Sequence, residues 1–128
     1  MNDQSLRTLG SKVTGFDGFD TFPTPKGVTK VKAISDEVTA VCPVTGQPDW
    51  YIVTIEYSPR EKCVESKTLK LYLQSFRNKG LFCEAFSSKI AHDILQELNA
   101  AWVKVTVIQK ARGGVSLEAT TELDGTTE

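Results

Sequence analysis

The sequence CPVTGQPDWYIVTIEY, residues 42–57, contains the turn and the strand on which the predicted fold depends. A proline after Cys42 directs that residue away from helical geometry, Gly46 tolerates positive φ, and a second proline fixes the backbone before Asp49. The residues after the turn are β-branched or aromatic, which is typical of a strand. The pattern predicts a rigid loop at the rim of a sheet, with a thiol and a carboxylate at its ends. A surface turn with one free cysteine is the simpler interpretation.

Periodicity on either side of this stretch predicts the other elements. Residues 28–41 alternate loosely, which predicts a strand that is interrupted near Ser35-Asp36. From Ser66 to Arg77 the period changes to that of a helix, with Ser66 as a candidate N-cap. A second helix is predicted from Cys83 to Asn99. The predicted buried side chains of the two helices are Leu69, Tyr72, Leu73 and Phe76, then Phe86, Ile90, Ala91, Ile94, Leu95 and Leu98.

Two further strands complete the predicted fold, over residues 102–109 and from Val115 to Ala119, joined by a turn at 111–114. The order ββααββ with short connections predicts an α+β fold, a four-stranded antiparallel sheet with two helices between strands 2 and 3. The strand at 50–57 carries apolar side chains on both faces, so we expect the face without helices to be buried in a homo-oligomer.

The two ends of the chain are predicted to lie outside this fold. Residues 1–27 are polar and rich in turns, with phenylalanines at 16, 19 and 22. They are interpreted either as a strap that these aromatic side chains hold against the surface or as a partly disordered tail. The predicted domain spans residues 28–120, and residues 121–128 are predicted to be a polar C-terminal tail.

Composition excludes several classes of protein. The 128 residues have a net charge of −1, which offers no electrostatic basis for direct binding to nucleic acid or to an anionic membrane. The three cysteines lack the spacing of a disulfide framework or a zinc site, so we expect reduced thiols in a cytoplasmic protein and no bound metal. No apolar run is long enough to span a membrane.

Several motifs follow one another in a fixed order along the chain. CPVTGQPD (42–49) precedes ESKTLK (65–70), LYLQSFRN (71–78) and RGGVS (112–116). Together they resemble the 7-cyano-7-deazaguanine reductases, the QueF family of nitrile reductases in queuosine biosynthesis, in its short single-domain form. The segments TFP (21–23) and Leu9-Gly10 are similar to the family's N-terminal strap.

This resemblance implies both a fold and a reaction. The fold is the tunnelling fold (T-fold), in which ββααββ units associate into a barrel with active sites between subunits. The reaction is the NADPH-dependent reduction of 7-cyano-7-deazaguanine to 7-aminomethyl-7-deazaguanine. Family members form rings of five that pair face to face, so the resemblance implies a decamer.

The resemblance also implies the roles of individual residues. Cys42 would attack the nitrile carbon to form a thioimide, and Asp49 would give a proton to the nitrogen. The residues implied to contact the substrate are Val64, Glu65, Ser66, Cys83 and Glu84, and those implied to hold NADPH are Ser66, Lys67, Arg112 and Gly113. Taken singly, Glu65 and Glu84 are also typical of a first helical turn, and Arg-Gly-Gly is a common hairpin turn.

One position departs from the family pattern. Cys83 stands before the substrate-binding Glu84 where the family has a histidine, and a thiol donates hydrogen bonds only weakly. The single histidine, His92, is predicted to be a solvated or half-buried helix residue. Two other functions remain open: an archaeosine-type amidinotransferase that adds ammonia to the same nitrile without NADPH, and a non-catalytic oligomer that binds a purine-like ligand. The intact Glu-Ser-Lys-x-Leu-Lys signature favours the reductase.

Overall fold

The structure, a computed structural model, describes residues 15–125 and has a mixed α+β architecture. Its elements in chain order are β1 (Thr21–Pro23), β2 (Val31–Val41), β3 (Pro48–Ser58), β4 (Lys62–Val64), α1 (Ser66–Gln74), α2 (Cys83–Leu98), β5 (Trp102–Arg112) and β6 (Val115–Asp124).

The main sheet has four antiparallel strands in the order β2-β3-β5-β6. Alternate side chains of its central strands point to the helices and are almost completely buried, namely Tyr51, Val53, Ile55 and Tyr57 with Val103, Val105 and Val107. The predicted buried faces of the helices pack on them. Burial of these apolar side chains is the main force that holds the sheet against the helices.

A second, two-stranded sheet was not predicted. In it β1 pairs antiparallel with β4, with Thr21 opposite Val64 and Pro23 opposite Lys62. The helices therefore follow β4 and not β3 directly, which corrects the simple ββααββ order. Strands of three residues are too short to show an alternating pattern in a sequence.

The main sheet agrees with the prediction in β2 and differs from it at the end of β6. The β2–β3 register shifts between Ser35 and Val38, which confirms the predicted interruption. The predicted polar tail from residue 121 is wrong over its first part, because β6 continues to Asp124. Thr121 pairs with Val105, its hydroxyl lies 2.8 Å from that of Ser87 in α2, and Leu123 packs on the core.

The N-cap of α1 is Glu65, and the prediction of Ser66 is wrong. The Glu65 carboxylate is buried and accepts hydrogen bonds from the backbone N–H groups of Lys67 (2.9 Å) and Thr68 (3.0 Å). A longer side chain thus reaches the first-turn donors that a serine normally caps. The helix ends at Gln74, earlier than predicted, while α2 ends at Leu98 with Asn99 in the left-handed conformation.

The segment before β1 is held by aromatic contacts. The rings of Phe16 and Phe19 lie 5.3 Å and 4.8 Å from that of Tyr72 in α1. These contacts agree with the predicted role of Phe16 and Phe19, and the strap as a whole stays a prediction. The predicted Leu9-Gly10 motif lies outside the described residues. Within residues 15–125, neither helix has the length and apolar character needed to cross a membrane.

Candidate active site

The loop between β2 and β3 is closed by its own backbone. The N–H of Cys42 donates to the carbonyl of Gln47 at 2.8 Å, and the N–H of Gly46 donates to the carbonyl of Cys42 at 2.8 Å. Gly46 has a φ of 72°, a conformation that most side chains disfavour. Both backbone polar groups of Cys42 are therefore fixed, as the sequence predicted for a rigid loop.

The segment between the two helices supports this loop from behind. The N–H of Val41 donates to Lys79, and the N–H of Leu81 donates back to Val41, at 3.0 Å and 3.2 Å. A Cβ added at Gly80 would lie 3.2 Å from the Cα of Pro43. The close approach of these two backbones favours a glycine and holds the segment against the loop that carries Cys42.

The Cys42 thiol lies among hydrogen-bond donors. The Thr45 hydroxyl and N–H, the Arg112 guanidinium and the Val44 N–H lower the pKa of the Cys42 thiol from its ordinary value to about 6. Donors that bond the thiolate favour the charged form. At neutral pH most of Cys42 is therefore thiolate, the form that attacks an electrophilic carbon.

Asp49, at the far end of the loop, is paired with Arg112. The guanidinium Nη1 lies 2.8 Å from the Asp49 Oδ1, with the carboxylate side chain only 5% exposed and the arginine side chain 43% exposed. Arg112 ends β5, where Gly113 and Gly114 turn the chain with φ values of 64° and 83°. This tight turn brings the arginine to the loop, so one cation bonds Asp49 and also lowers the pKa of Cys42.

Tyr51 lies beneath this trio and was not predicted as part of it. Its hydroxyl donates to Gln109 Oε1 at 3.3 Å and lies 3.5 Å from the Leu81 carbonyl. Burial, followed by the charge of Asp49, raises the pKa of the Tyr51 phenol, so the ring stays neutral. Sequence reasoning missed Tyr51, Gln109 and Thr45 because a strand tyrosine, a strand glutamine and a loop threonine each have ordinary structural roles.

Cys83, the first residue of α2, is packed inwards. Its thiol is 1% exposed and donates to the Val107 carbonyl at 3.5 Å. Burial raises the pKa of the Cys83 thiol. The side chain at the family's histidine position therefore bonds the sheet, while the neighbouring Glu84 is exposed and available to a ligand. His92 is exposed as well, with Nδ1 2.8 Å from the Ser88 carbonyl.

The other residues predicted to contact the substrate lie at the end of the sheet opposite to Cys42 and Asp49. The N–H of Val64 donates to the Tyr57 hydroxyl at 3.1 Å, which places Val64, Glu65 and Ser66 at the Tyr57 end of β3. Asp49 lies at the other end of that strand, about 27 Å away at the usual rise per residue. One copy of the chain therefore does not bring Cys42 and Glu65 together.

A groove of about 310 Å³ runs between β2 and α1. Its lining includes Ser66 and Lys70 beside the bulged part of β2. Among residues 15–125, no three His, Cys, Asp or Glu side chains are grouped so that they could hold a metal ion.

Comparisons with known proteins agree on one family. The model of the QueF-like protein family matches residues 48–127, a range that includes Asp49 and Arg112 and begins after Cys42. A 7-cyano-7-deazaguanine reductase, NADPH-dependent by name, from Anaeromyxobacter sp. (strain Fw109-5) is 45% identical over 97 residues, which are 74% of this chain and 80% of that protein. The protein of the same name from Frankia casuarinae is 38% identical over 116 residues, covering 90% and 93% of the two chains.

A solved structure is also similar. The crystal structure of an archaeosine synthase, QueF-Like, in the apo form has a TM-score of 0.72 and 25% sequence identity, and the match covers 80% of this chain and 98% of that one.

Proposed function

The chain belongs to the QueF family, and on that basis we propose that it is an NADPH-dependent nitrile reductase that converts 7-cyano-7-deazaguanine to 7-aminomethyl-7-deazaguanine. The observation that carries the proposal is the closed loop that holds an activated Cys42 thiol next to the buried Asp49 carboxylate. The product is a precursor of queuosine.

Cys42 captures the nitrile. Its sulfur lone pair forms a bond to the nitrile carbon, one π bond of the C≡N group breaks, and the nitrogen takes a proton from Asp49. The product of this step is a thioimide that holds the substrate carbon at Cys42. The low pKa of Cys42 supports the step because the attacking form already predominates at neutral pH.

The donor set of the chain fits a phosphate-bearing cofactor. Lys67 and the partly exposed Arg112 are cationic, Ser66 is an exposed hydroxyl, and Gly113 presents backbone without a side chain. These groups suit phosphate oxygens. When bound, NADPH supplies hydride, and two equivalents balance the four-electron reduction of a nitrile to an amine. The roles of Lys67 and Gly113 are part of the proposal.

The active site is proposed to form between copies of the chain. Val64, Glu65, Ser66 and Lys67 of one copy would complete the site around Cys42, Asp49 and Glu84 of a neighbour. The separation of these two groups along β3 supports this arrangement. So does the sheet face opposite the helices, where Ile34 and Trp50 are 63% and 54% exposed. We propose the T-fold barrel and a decamer of two rings as the assembly.

NADPH consumption on addition of 7-cyano-7-deazaguanine tests the proposal. The expected result is two NADPH oxidised for each nitrile by the wild-type chain, and none by Cys42→Ala or Asp49→Asn. Intact-protein mass spectrometry should detect a covalent adduct on the wild type and none on Cys42→Ala.

Two outcomes would contradict the reductase. An adduct on Cys42 without loss of NADPH would favour an amidinotransferase, the function in the name of the solved QueF-Like relative. Purine binding without an adduct or NADPH loss would indicate a non-catalytic protein. A cytoplasmic location is part of the proposal, since catalysis requires Cys42 to stay reduced.

A further inference from the structure

We propose that Arg112 is a positioning residue that balances the negative charge shared by Cys42 and Asp49, and that it stays bonded to the pair as this charge moves from sulfur to carboxylate. The proposal rests on the proposed function for the identity of the reaction. Its geometric basis is independent of the substrate, because in the free chain the guanidinium already bonds Asp49 and lies beside Cys42.

The ion pair with Asp49 is the first observation. At 2.8 Å the Nη1–Oδ1 contact is a charge-assisted hydrogen bond, and the carboxylate is almost completely buried. An isolated carboxylate in such a place would lose most of its hydration. Arg112 compensates for that loss, and in return the fixed carboxylate holds the guanidinium towards the loop.

The second observation is that the guanidinium is close enough to the Cys42 sulfur to be one of the groups that lower the pKa of the thiol. An arginine has several N–H donors in a fixed plane, so one side chain can bond two acceptors at once. A lysine at this position would present a single charged centre on a flexible stem and would hold the two acceptors less well.

The net charge of Cys42 and Asp49 is the same before and after the nitrile is attacked. Addition uses the state of the pair that holds a single proton, in which the Cys42 thiol has passed its proton to Asp49, so that the reactive form is a Cys42 thiolate with a protonated Asp49. After addition the sulfur is bonded to carbon and is neutral, the nitrogen has gained the Asp49 proton, and Asp49 is a carboxylate. The pair has one negative charge in both states, and Arg112 lies beside both of its sites, so the counter-ion need not move during the step.

The other titratable groups near Cys42 do not provide this balance. Asp49 and Tyr51 face it from β3, and Cys83 faces the same region from the start of α2. None of these side chains can carry a positive charge. Lys110 lies in the same strand as Arg112, yet its ammonium points to the Asp36 carbonyl at 3.4 Å. Arg112 is therefore the cation that the geometry assigns to the pair.

The test is the rate of Cys42 alkylation by iodoacetamide as a function of pH, followed by peptide mass spectrometry. Wild type should show a midpoint near pH 6. Arg112→Ala and Arg112→Gln should raise the midpoint by about one pH unit, the size expected for loss of one charge-assisted hydrogen bond. The midpoint of Arg112→Lys should fall between those of these two variants and that of the wild type, because lysine keeps the positive charge but lacks the planar set of N–H donors. Lys110→Ala is the matched control and should match the wild type.

The outcomes separate this proposal from the proposed function. An unchanged midpoint in folded Arg112→Ala and Arg112→Gln, or an equal rise in Lys110→Ala, would overturn it. Because alkylation requires neither nitrile nor NADPH, a chain without reductase activity that still shows the shift would contradict the function alone. Thermal unfolding of each variant checks the fold, and the exposed hairpin position of Arg112 makes Arg112→Gln, which keeps a long polar side chain, the conservative variant.

Discussion

Cys42 and Cys83 are both buried thiols, yet their surroundings shift their pKa values in opposite directions. Cys42 lies in a loop whose Thr45 and Arg112 donors bond the thiolate and lower its pKa. Cys83 is packed against the sheet, and burial raises the pKa of its thiol although backbone donors at Gln109 and Ala119 act in the opposite direction. Hydrogen-bond donors therefore dominate at Cys42, whereas burial dominates at Cys83.

The first prediction concerns Thr45, whose hydroxyl is the largest cause of the low Cys42 pKa. Thr45→Val removes this donor and should raise the midpoint of Cys42 alkylation by about one pH unit or more, the size expected for loss of a hydrogen bond to a charged group. In the wild type, alkylation should be fastest above about pH 6 and fall as the pH drops below it, because protonation removes the nucleophile.

Thr45→Ser is the matched control for this prediction because it keeps the hydroxyl. Rates are measured for each cysteine separately by peptide mass spectrometry, and Cys83 should react slowly in all three proteins. Equal midpoints in Thr45→Val and Thr45→Ser would show that the Thr45 hydroxyl does not contribute to the low pKa of Cys42.

At the scale of the elements, Glu65 connects the small sheet to α1. It follows β4, its N–H donates to the Asp20 carbonyl at 2.9 Å, and its carboxylate caps the helix. This buried cap explains an acid at the position without any substrate. The implied contact of Glu65 with the deazaguanine stays a prediction, although the Oε1 atom, which accepts one hydrogen bond, has a further lone pair to offer.

The second prediction separates the cap from a ligand contact. Glu65→Ala leaves two first-turn N–H groups without their acceptor and should lower the free energy of unfolding by about 1–2 kcal/mol. Glu65→Gln keeps one acceptor oxygen and should lose less. Urea denaturation of the ligand-free chain measures both.

Glu61→Ala is the control for general effects of losing an acid, because Glu61 is exposed and bonds Thr24 through its backbone carbonyl. Glu65→Ala with the stability of Glu61→Ala would show that the cap contributes nothing. A stable Glu65→Ala that no longer binds the substrate would then assign the residue to the ligand.

At the scale of the whole molecule, the sheet separates the two groups of residues proposed to form the active site. The register places Asp49 opposite Ala40 at one end of β3, and Tyr57 opposite Val31 at the other. A strand is stiff and cannot fold back to join its ends, so one copy holds half of each proposed site. A neighbouring copy is the simplest source of the other half.

The third prediction follows from this separation. Cys42→Ala and Lys67→Ala should each be inactive. Co-assembly of the two variants in equal amounts should restore about a quarter of the wild-type activity per site, because random mixing places an intact Cys42 beside an intact Lys67 at that frequency. NADPH consumption by chains that are co-expressed with different tags measures the recovery. Inactive mixed oligomers would mean that both residues come from the same copy.

The sequence alone determined much of the fold and the centre of the candidate site. The helical spacing from Leu69 to Phe76 identified the buried face of α1, and the β-branched run at 50–57 identified β3. The loop from Cys42 to Asp49 was recognisable because its prolines and glycine act on the backbone locally. Such signals depend on neighbours in the chain, so they can be detected without a structure.

Tertiary structure alone decided how distant residues meet. The contact between Arg112 and Asp49 joins residues far apart in the chain and depends on the β3–β5 pairing and on a two-glycine turn. The pairing of β1 with β4, the cap at Glu65 and the inward orientation of Cys83 depend equally on packing. A sequence pattern carries local preferences, whereas these contacts result from minimising exposed apolar area and unpaired polar groups over the whole chain.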